Sequence, residues 1–129
     1  SWLDQGIPSY SICVAARTNR LLETRYTPLL ADAGIEAVEV DAEGEADVSK
    51  PGVRVSTMHR MKGLEFSRVL LVGVQVGQMP YELAQGHPDD TAAAEHEVRE
   101  RCLLHVAFTR ARDELAVSGY GGASPFLPV

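Results

Sequence analysis

Lysine is scarce in this sequence, and its scarcity excludes a common kind of nucleotide-binding loop. Lys50 and Lys62 are the only two lysines, and neither follows a glycine. The G-x-x-x-x-G-K-[ST] loop, whose lysine reaches the β- and γ-phosphates of a nucleotide, is therefore absent. No apolar strand ends in the paired carboxylates that would bind Mg2+ and orient a water molecule. The chain by itself does not carry a complete nucleotide-hydrolysing site.

Long apolar runs and cysteines are also few. No run approaches the roughly 20 apolar residues that span a bilayer, and no signal peptide is visible. We therefore expect a cytoplasmic protein without membrane contact. Cys13 and Cys102 both lie in apolar segments, which predicts reduced thiols in the core. Cys102 shares a helix face with His105, where core packing is favoured over a metal site, and we expect no metal site.

Acidic residues outnumber basic ones and give the chain a net charge of −6. Proteins that coat nucleic acid on their own are usually basic, so the charge argues against that class. It is compatible with a protein that grips a few phosphates in a cleft.

Apolar segments alternate with helical patterns along the 129 residues, which we interpret as one domain, residues 1–129. Predicted strands cover 10–16, 36–40, 53–57, 68–74 and 113–118, and predicted helices cover 18–33 and 92–111. Pro28 is expected to kink or divide the first helix. The apolar end of the second helix predicts that it lies deep in the structure. Strands alternating with helices predict an α/β fold with a mainly parallel sheet.

Two segments carry the strongest functional signal. Residues 55–66 read VSTMHRMKGLEF, a strand that breaks into a loop with His, Arg and Lys before a glycine and a carboxylate. Residues 106–112 read VAFTRAR, an apolar helix that ends in two arginines. The first segment is similar to T-x-H-x-x-K-G-L-E-F and the second to V-x-x-T-R-A, motifs V and VI of the UvrD/Rep branch of superfamily 1 helicases. The resemblance implies a RecA-like three-layer sandwich that forms the carboxyl-terminal motor domain of an ATP-dependent DNA helicase.

The resemblance assigns ATP contacts to four residues. Arg110 would be the arginine finger on the γ-phosphate, and Glu65 would contact the ribose, with Gly63 allowing a tight turn beside it. Arg17 lies in Arg17-Thr18-Asn19, which is similar to motif IV, and would be a second γ-phosphate contact. The family binds ATP and Mg2+ mainly through an amino-terminal motor domain, which would be the partner of this one.

The resemblance also assigns a single-stranded DNA track to the first half of motif V. Thr57, His59 and Lys62 would offer a hydroxyl, an imidazole and an ammonium group to phosphates. Lys62 could instead brace the loop. Without family knowledge, the three residues read as a strand end followed by two solvated side chains.

The sequence departs from the family in two places and leaves two other functions open. A linker of residues 41–52 stands where typical members insert a large accessory domain, which indicates a compact branch. His105 stands where the family commonly has tyrosine. The same motor fold serves in ATPases that remodel RNA polymerase, although Thr57 and His59 favour nucleic acid. A partner-docking module without activity is the other alternative, and the retained Arg17, Glu65 and Arg110 argue against it.

Overall fold

One sheet of five parallel strands organises the structure, a computed structural model that describes residues 2, 4–40, 51–75, 78, 79, 81, 86–119 and 124–126. The strands are β1 (Ile12–Ala16), β2 (Ala37–Glu39), β3 (Val53–Thr57), β4 (Phe66–Leu71) and β5 (Ala111–Val117). Their order across the sheet is β2-β3-β1-β4-β5, and each neighbouring pair is parallel. The predicted α/β class with a parallel sheet is confirmed.

The β4 strand begins and ends earlier than the predicted 68–74. The N–H of Phe66 donates to the carbonyl of Arg110 at 2.9 Å, which starts the ladder between β4 and β5. Val72 and Val74 remain buried but lie beyond the strand. Between them Gly73 adopts a φ of +67°, where the chain leaves the extended conformation. Apolar burial therefore continues past the end of the regular strand, which made the predicted strand too long at that end.

The core lies on both faces of the sheet because side chains alternate along each strand. On one face, Cys13, Ala15, Val69 and Leu71 pack with buried methionines and with the helix that precedes β5. On the other face, Ile12, Val14, Val53 and Val55 pack against the helical segment that follows β1. Helices on both faces of a parallel sheet produce a three-layer sandwich.

The helical segment after β1 has three consecutive parts. They are α1 (Asn19–Leu21), a π-helical segment (Leu22–Tyr26) and α2 (Thr27–Asp32). Thr18 caps the start, because its Oγ1 accepts a hydrogen bond from the N–H of Leu21 at 3.2 Å. The division falls just before Pro28, as predicted, because proline has no N–H to continue the α-helical ladder.

The long helix α3 (Asp90–Phe108) covers the methionine side of the sheet, and Asp89 caps it by accepting from the N–H of Ala92 at 2.7 Å. Its buried residues are Glu100, Leu104 and Ala107. The prediction that the helix is buried deeply was wrong, because only one side of it faces the sheet. Cys102 is accordingly exposed, whereas Cys13 is buried as predicted.

Among the described residues, no helix is long and apolar enough to cross a membrane. The linker residues 41–50 lie outside the described residues.

Candidate functional site at two edges of the sheet

The predicted site residues lie at the two opposite ends of the parallel strands. We call these ends the carboxyl edge and the amino edge of the sheet. Arg17 follows the carboxyl end of β1, and Thr57 ends the neighbouring β3, where it pairs with Ala16. Glu65 and Arg110 instead precede the amino ends of β4 and β5. Strands rise about 3.3 Å per residue, so the length of β4 separates the two edges by roughly 17 Å.

The loop after β3 is anchored to the core on one side and exposed to solvent on the other. The N–H of Met58 donates to the carbonyl of Ala16 at 2.8 Å, and the side chain of Met58 is fully buried. Oγ1 of Thr57 accepts a hydrogen bond from the N–H of Arg60 at 3.2 Å, which shapes the turn. His59 and Lys62 are exposed. The loop therefore presents an imidazole and an ammonium group to solvent on a fixed backbone.

Arg17 is held by a buried carboxylate. Its Nε donates to Oε1 of Glu100 at 2.8 Å and to Oε2 at 3.1 Å. The Arg17 guanidinium lies 5.2 Å from the centre of the Tyr81 ring, and the N–H of Tyr81 donates to Oε1 of Glu100 at 2.7 Å. The carbonyl of Tyr81 makes a 2.7 Å hydrogen bond with Nε2 of His96. These contacts join the end of β1, the middle of α3 and the Tyr81 backbone.

Glu100 and Tyr81 were not predicted from the sequence. Glu100 could have been found, because Glu100, Leu104 and Ala107 are spaced by four and three residues and share one face of α3. A carboxylate in an apolar helical stripe needs a buried partner. Nothing in the sequence around Tyr81 indicates that its backbone supplies one of the hydrogen bonds.

Two pKa shifts show that the charged groups at the carboxyl edge influence one another. Burial alone would raise the pKa of Glu100, but the hydrogen bonds from Arg17 and Tyr81 and the charges of Arg17 and His96 outweigh it, so the pKa lies below its ordinary value. The pKa of His59 is lowered, first by partial loss of hydration and then by the positive charge of Arg17, while Glu100 opposes the shift. His59 therefore lies within electrostatic range of the Arg17–Glu100 pair. We call Arg17, Thr57, His59, Tyr81 and Glu100 the carboxyl-edge cluster.

Arg110 occupies the opposite edge and has no carboxylate partner among the described residues. Its Nη2 donates to Oγ1 of Thr109 at 3.0 Å, and its Nη1 donates to the carbonyl of Leu64 at 3.4 Å. Its Nε is buried and finds no hydrogen-bond partner in the described part of the chain. The Leu64 carbonyl places Arg110 next to Glu65, which is exposed. Gly63 has a φ of +85°, a conformation that favours glycine. We call Gly63, Glu65 and Arg110 the amino-edge cluster.

A recess of about 460 Å³ opens beside Glu65. It is lined by Pro8, Tyr10, Ser11, Glu65, Phe66, Ser67 and Arg112. Tyr10 is 61% exposed and Arg112 is exposed, with its Nη2 donating to Oγ of Ser67 at 2.5 Å. A polar and aromatic recess therefore adjoins the carboxylate predicted to contact a ribose.

The structure groups the predicted site residues differently from the roles that their motifs suggested. It brings Arg110 together with Glu65 and Gly63, and it brings Arg17 together with Thr57 and His59. Arg17 and Arg110, both predicted to contact one γ-phosphate, lie at opposite edges. The γ-phosphate role of Arg17 stays a prediction that its position does not favour. Within the described ranges, no group of three or more His, Cys, Asp or Glu side chains could hold a metal ion.

Comparison with solved structures supports the fold. The chain is similar to the crystal structure of the C-terminal domain of a possible DNA helicase from Lactobacillus plantarum WCFS1, with a TM-score of 0.65 and 20% sequence identity. The match covers 95% of this chain and 62% of that one. At this identity the likeness shows the fold, and the fold is that of a helicase C-terminal domain, as the RecA-like prediction required.

Comparison with curated sequences reaches the same family. The chain is 35% identical over 89 residues to DNA helicase II of Escherichia coli, covering 69% of this chain and 11% of that protein. It is 40% identical over 74 residues to the ATP-dependent DNA helicase UvrD2 of Mycobacterium tuberculosis, covering 57% of this chain and 10% of that protein. The chain thus spans about a tenth of the length of these relatives.

A family profile matches most of the chain. The profile of the UvrD-like helicase C-terminal domain covers residues 13–121. This range includes both edge clusters and all five strands, apart from Ile12 at the start of β1. The chain belongs to the family of UvrD-like helicase C-terminal domains.

Proposed function

We propose that this chain is the carboxyl-terminal motor half of an ATP-dependent DNA helicase or translocase. The observation that carries the proposal is the state of Arg110, whose guanidinium has no carboxylate partner in the described residues and leaves its Nε unbonded. A buried polar atom without a partner is costly and requires an explanation, and a ligand that completes the site would supply one. A transferring phosphoryl group fits it, because a planar and permanently charged fork matches phosphate oxygens.

The amino-edge cluster would form this chain's side of the ATP cleft. Arg110 would stabilise the charge that develops on the γ-phosphate, and Glu65 would accept a hydrogen bond from the ribose. Gly63 provides the turn that brings Glu65 into position. The phosphate-binding lysine and the Mg2+ ligands would come from the amino-terminal motor domain, since this sequence does not contain them.

The carboxyl edge would form this chain's side of a single-stranded DNA track. His59 and Lys62 are exposed on an anchored loop, and Thr57 shapes the turn beneath them. Imidazole and ammonium donors suit phosphate oxygens and read no particular base. This arrangement favours a motor that moves along a strand irrespective of sequence.

The two edges would work together through closure of the cleft between the two motor domains. ATP bound between the domains would draw them together, and hydrolysis would let them separate. Because the DNA track lies at the other edge of the same sheet, each closure would shift the strand relative to the partner domain.

The proposal is tested in a complete motor that joins this chain to its amino-terminal motor domain. We expect single-stranded DNA to stimulate ATP hydrolysis and Arg110→Ala to abolish most of the turnover. Arg99→Ala is the matched control, because Arg99 is an exposed arginine on α3 that belongs to neither cluster. Hydrolysis that responds to RNA polymerase but not to DNA would replace the proposal with the remodelling alternative. Hydrolysis indifferent to Arg110→Ala would overturn it.

A further inference from the structure

We propose that the outer side of β2 binds an extended, basic segment of a partner protein as an added strand. Among the described strands, β2 is the outermost and pairs with β3 alone. Its free side runs along the strand, and the residues that form it belong to neither the carboxyl-edge cluster nor the amino-edge cluster. The inference is therefore independent of the roles proposed for those clusters in ATP and DNA binding.

The backbone of β2 directs unpaired donors and acceptors outward. The carbonyl of Glu36 and the N–H of Val40 each form a 2.9 Å hydrogen bond with β3. Since successive residues of a strand direct their backbone groups to alternate sides, Ala37 and Glu39 direct theirs away from β3. Neither backbone forms a hydrogen bond with any residue that the structure describes. A row of such groups is a template on which a further strand can pair.

A groove lies beside these free backbone groups. One recess of about 620 Å³ and another of about 170 Å³ are both lined by Thr27 and Ala37. Ala37 and Val38 both line the larger recess, although neighbouring side chains of a strand point to opposite faces, so this recess reaches around the outer side of β2. Its remaining apolar lining consists of Ala31, Gly34, Ile35 and Pro51. An added strand would find room there for small apolar side chains.

The charge of the groove selects a basic ligand. Glu23, Glu36 and Glu39 line the two recesses and are exposed, and the described lining residues include no lysine or arginine. The Glu39 carboxylate is shared with Arg60 at 3.3 Å, whereas the Glu36 carboxylate makes no ion pair with any described residue. A segment that alternates lysine or arginine with small apolar residues would pair its backbone with β2 and its charges with these carboxylates.

The test measures the binding of a labelled heptapeptide that alternates lysine and valine to the complete motor, by fluorescence anisotropy. We expect Ala37→Pro to raise the Kd roughly tenfold, because proline removes the outward N–H and its ring obstructs an added strand. The variant should fold, since proline is tolerated where the N–H of an outermost strand faces solvent. Ala37→Ser keeps the N–H and is the matched control, and it should bind as the wild type does.

Glu36→Gln is a second variant that leaves the backbone unchanged. It should raise the Kd about threefold at low salt and less at high salt, because an exposed ion pair is weak and screened. Glu95→Gln removes the same charge from an exposed position on α3 and should leave the Kd unchanged. The same peptide with glutamate in place of lysine should not bind.

Failure of the lysine peptide to bind would overturn the inference. Binding that is indifferent to Ala37→Pro, or that Glu95→Gln weakens as much as Glu36→Gln does, would overturn it as well, because it would show a general attraction to an acidic protein. Self-association of the motor that Ala37→Pro abolishes would assign the outer side of β2 to a second copy of the chain instead. None of these outcomes involves ATP hydrolysis or DNA binding, so each leaves the proposed function as it stands.

Discussion

Arg17 donates from Nε to both carboxylate oxygens of Glu100, across 83 positions of sequence. The contact joins the end of β1 to the middle of α3, and Glu100 is buried while the Arg17 side chain is partly exposed. A carboxylate that is buried in this way requires its partner, because an uncompensated charge in the interior is strongly destabilising. The pair therefore fixes how α3 lies on the sheet at the carboxyl edge.

The isolated chain should fold but show no ATP hydrolysis, because it contains no phosphate-binding lysine in a glycine-rich loop. Circular dichroism would establish the fold, and release of phosphate would measure turnover. Turnover by the pure chain that disappears in Arg110→Ala would contradict the prediction. Adding the amino-terminal motor domain should restore the activity.

Arg110→Ala in the complete motor should lower kcat steeply and leave ATP binding largely intact. Arginine fingers contribute roughly 10³–10⁵ to kcat in phosphoryl transfer. Single-turnover hydrolysis and equilibrium binding of a fluorescent ATP analogue separate the two effects. A fall in kcat of less than about tenfold, well under that range, would show that Arg110 is not the finger. Arg99→Ala should behave as the wild type.

Lys62→Ala and His59→Ala in the complete motor should weaken single-strand binding for all sequences alike. If Lys62 meets a phosphate, its loss should flatten the plot of log K against log salt by about 0.7 units. His59→Ala should change the slope less, because its lowered pKa keeps the imidazole neutral and a neutral group displaces no counterion. A salt titration with oligonucleotide competitors measures both variants. Unchanged affinity and unchanged DNA stimulation in both would show that the loop is structural.

Glu100 should make the stability of the chain depend on acid pH. Its pKa in the folded state lies below the ordinary value of 4.5. Its carboxylate therefore contributes stability that is complete above that value and is lost as the pH falls through the folded pKa. Urea unfolding between roughly pH 3 and pH 6, a range that brackets the pKa values of ordinary carboxylates, measures the slope of the free energy of unfolding against pH. Glu100→Gln should flatten it.

Glu97→Gln is the matched control for that measurement. Glu97 lies on the same helix and pairs with Arg101, but both side chains are about half exposed. Exposed pairs contribute little, so the acid slope should stay as in the wild type. An equal flattening in both variants would show that the slope does not come from the buried pair.

The two cysteines should differ sharply in reactivity. Burial raises the pKa of the Cys13 thiol far above its ordinary range, whereas Cys102 lies exposed on α3. A thiol reagent should modify one cysteine per folded chain and two after unfolding, because the thiolate is the reactive form. Mass spectrometry of the labelled chain would identify the site, and Cys102→Ser should abolish the native reaction. Modification of Cys13 in the folded chain would contradict the described core.

The fold could be predicted because its signals are local. Strand β3 has the predicted bounds, since its alternating apolar residues, Val53 and Val55, lie between Gly52 on one side and a polar loop on the other. The depth of α3 could not be predicted, because an apolar helix end covered on one side by the sheet looks in sequence like a helix covered all round. Leu103, Val106 and Phe108 illustrate this, since each of these apolar side chains is only partly buried.

The site could be predicted as a set of residue types but not as a spatial arrangement. Motif V appears continuous in sequence, yet Thr57 and Glu65 belong to opposite edges of the sheet. Which of the two arginines, Arg17 or Arg110, meets which ligand depends on the direction of the strands they adjoin. The carboxylate that holds Arg17 lies 83 positions away, and only packing of α3 onto the sheet brings the two together.

The segment from Met58 to Glu65 connects the two edges of the sheet directly. Eight residues lead from the edge that carries His59 to the edge that carries Arg110, and the buried Met58 and Met61 fasten them to the core. A connection that is fastened at two points has limited freedom to move, and a shift at one end must be transmitted or absorbed along the way. Gly63, with its left-handed backbone and exposed position, is where the segment can bend. The anchoring of these eight residues to the core thus sets how closely events at one edge follow those at the other.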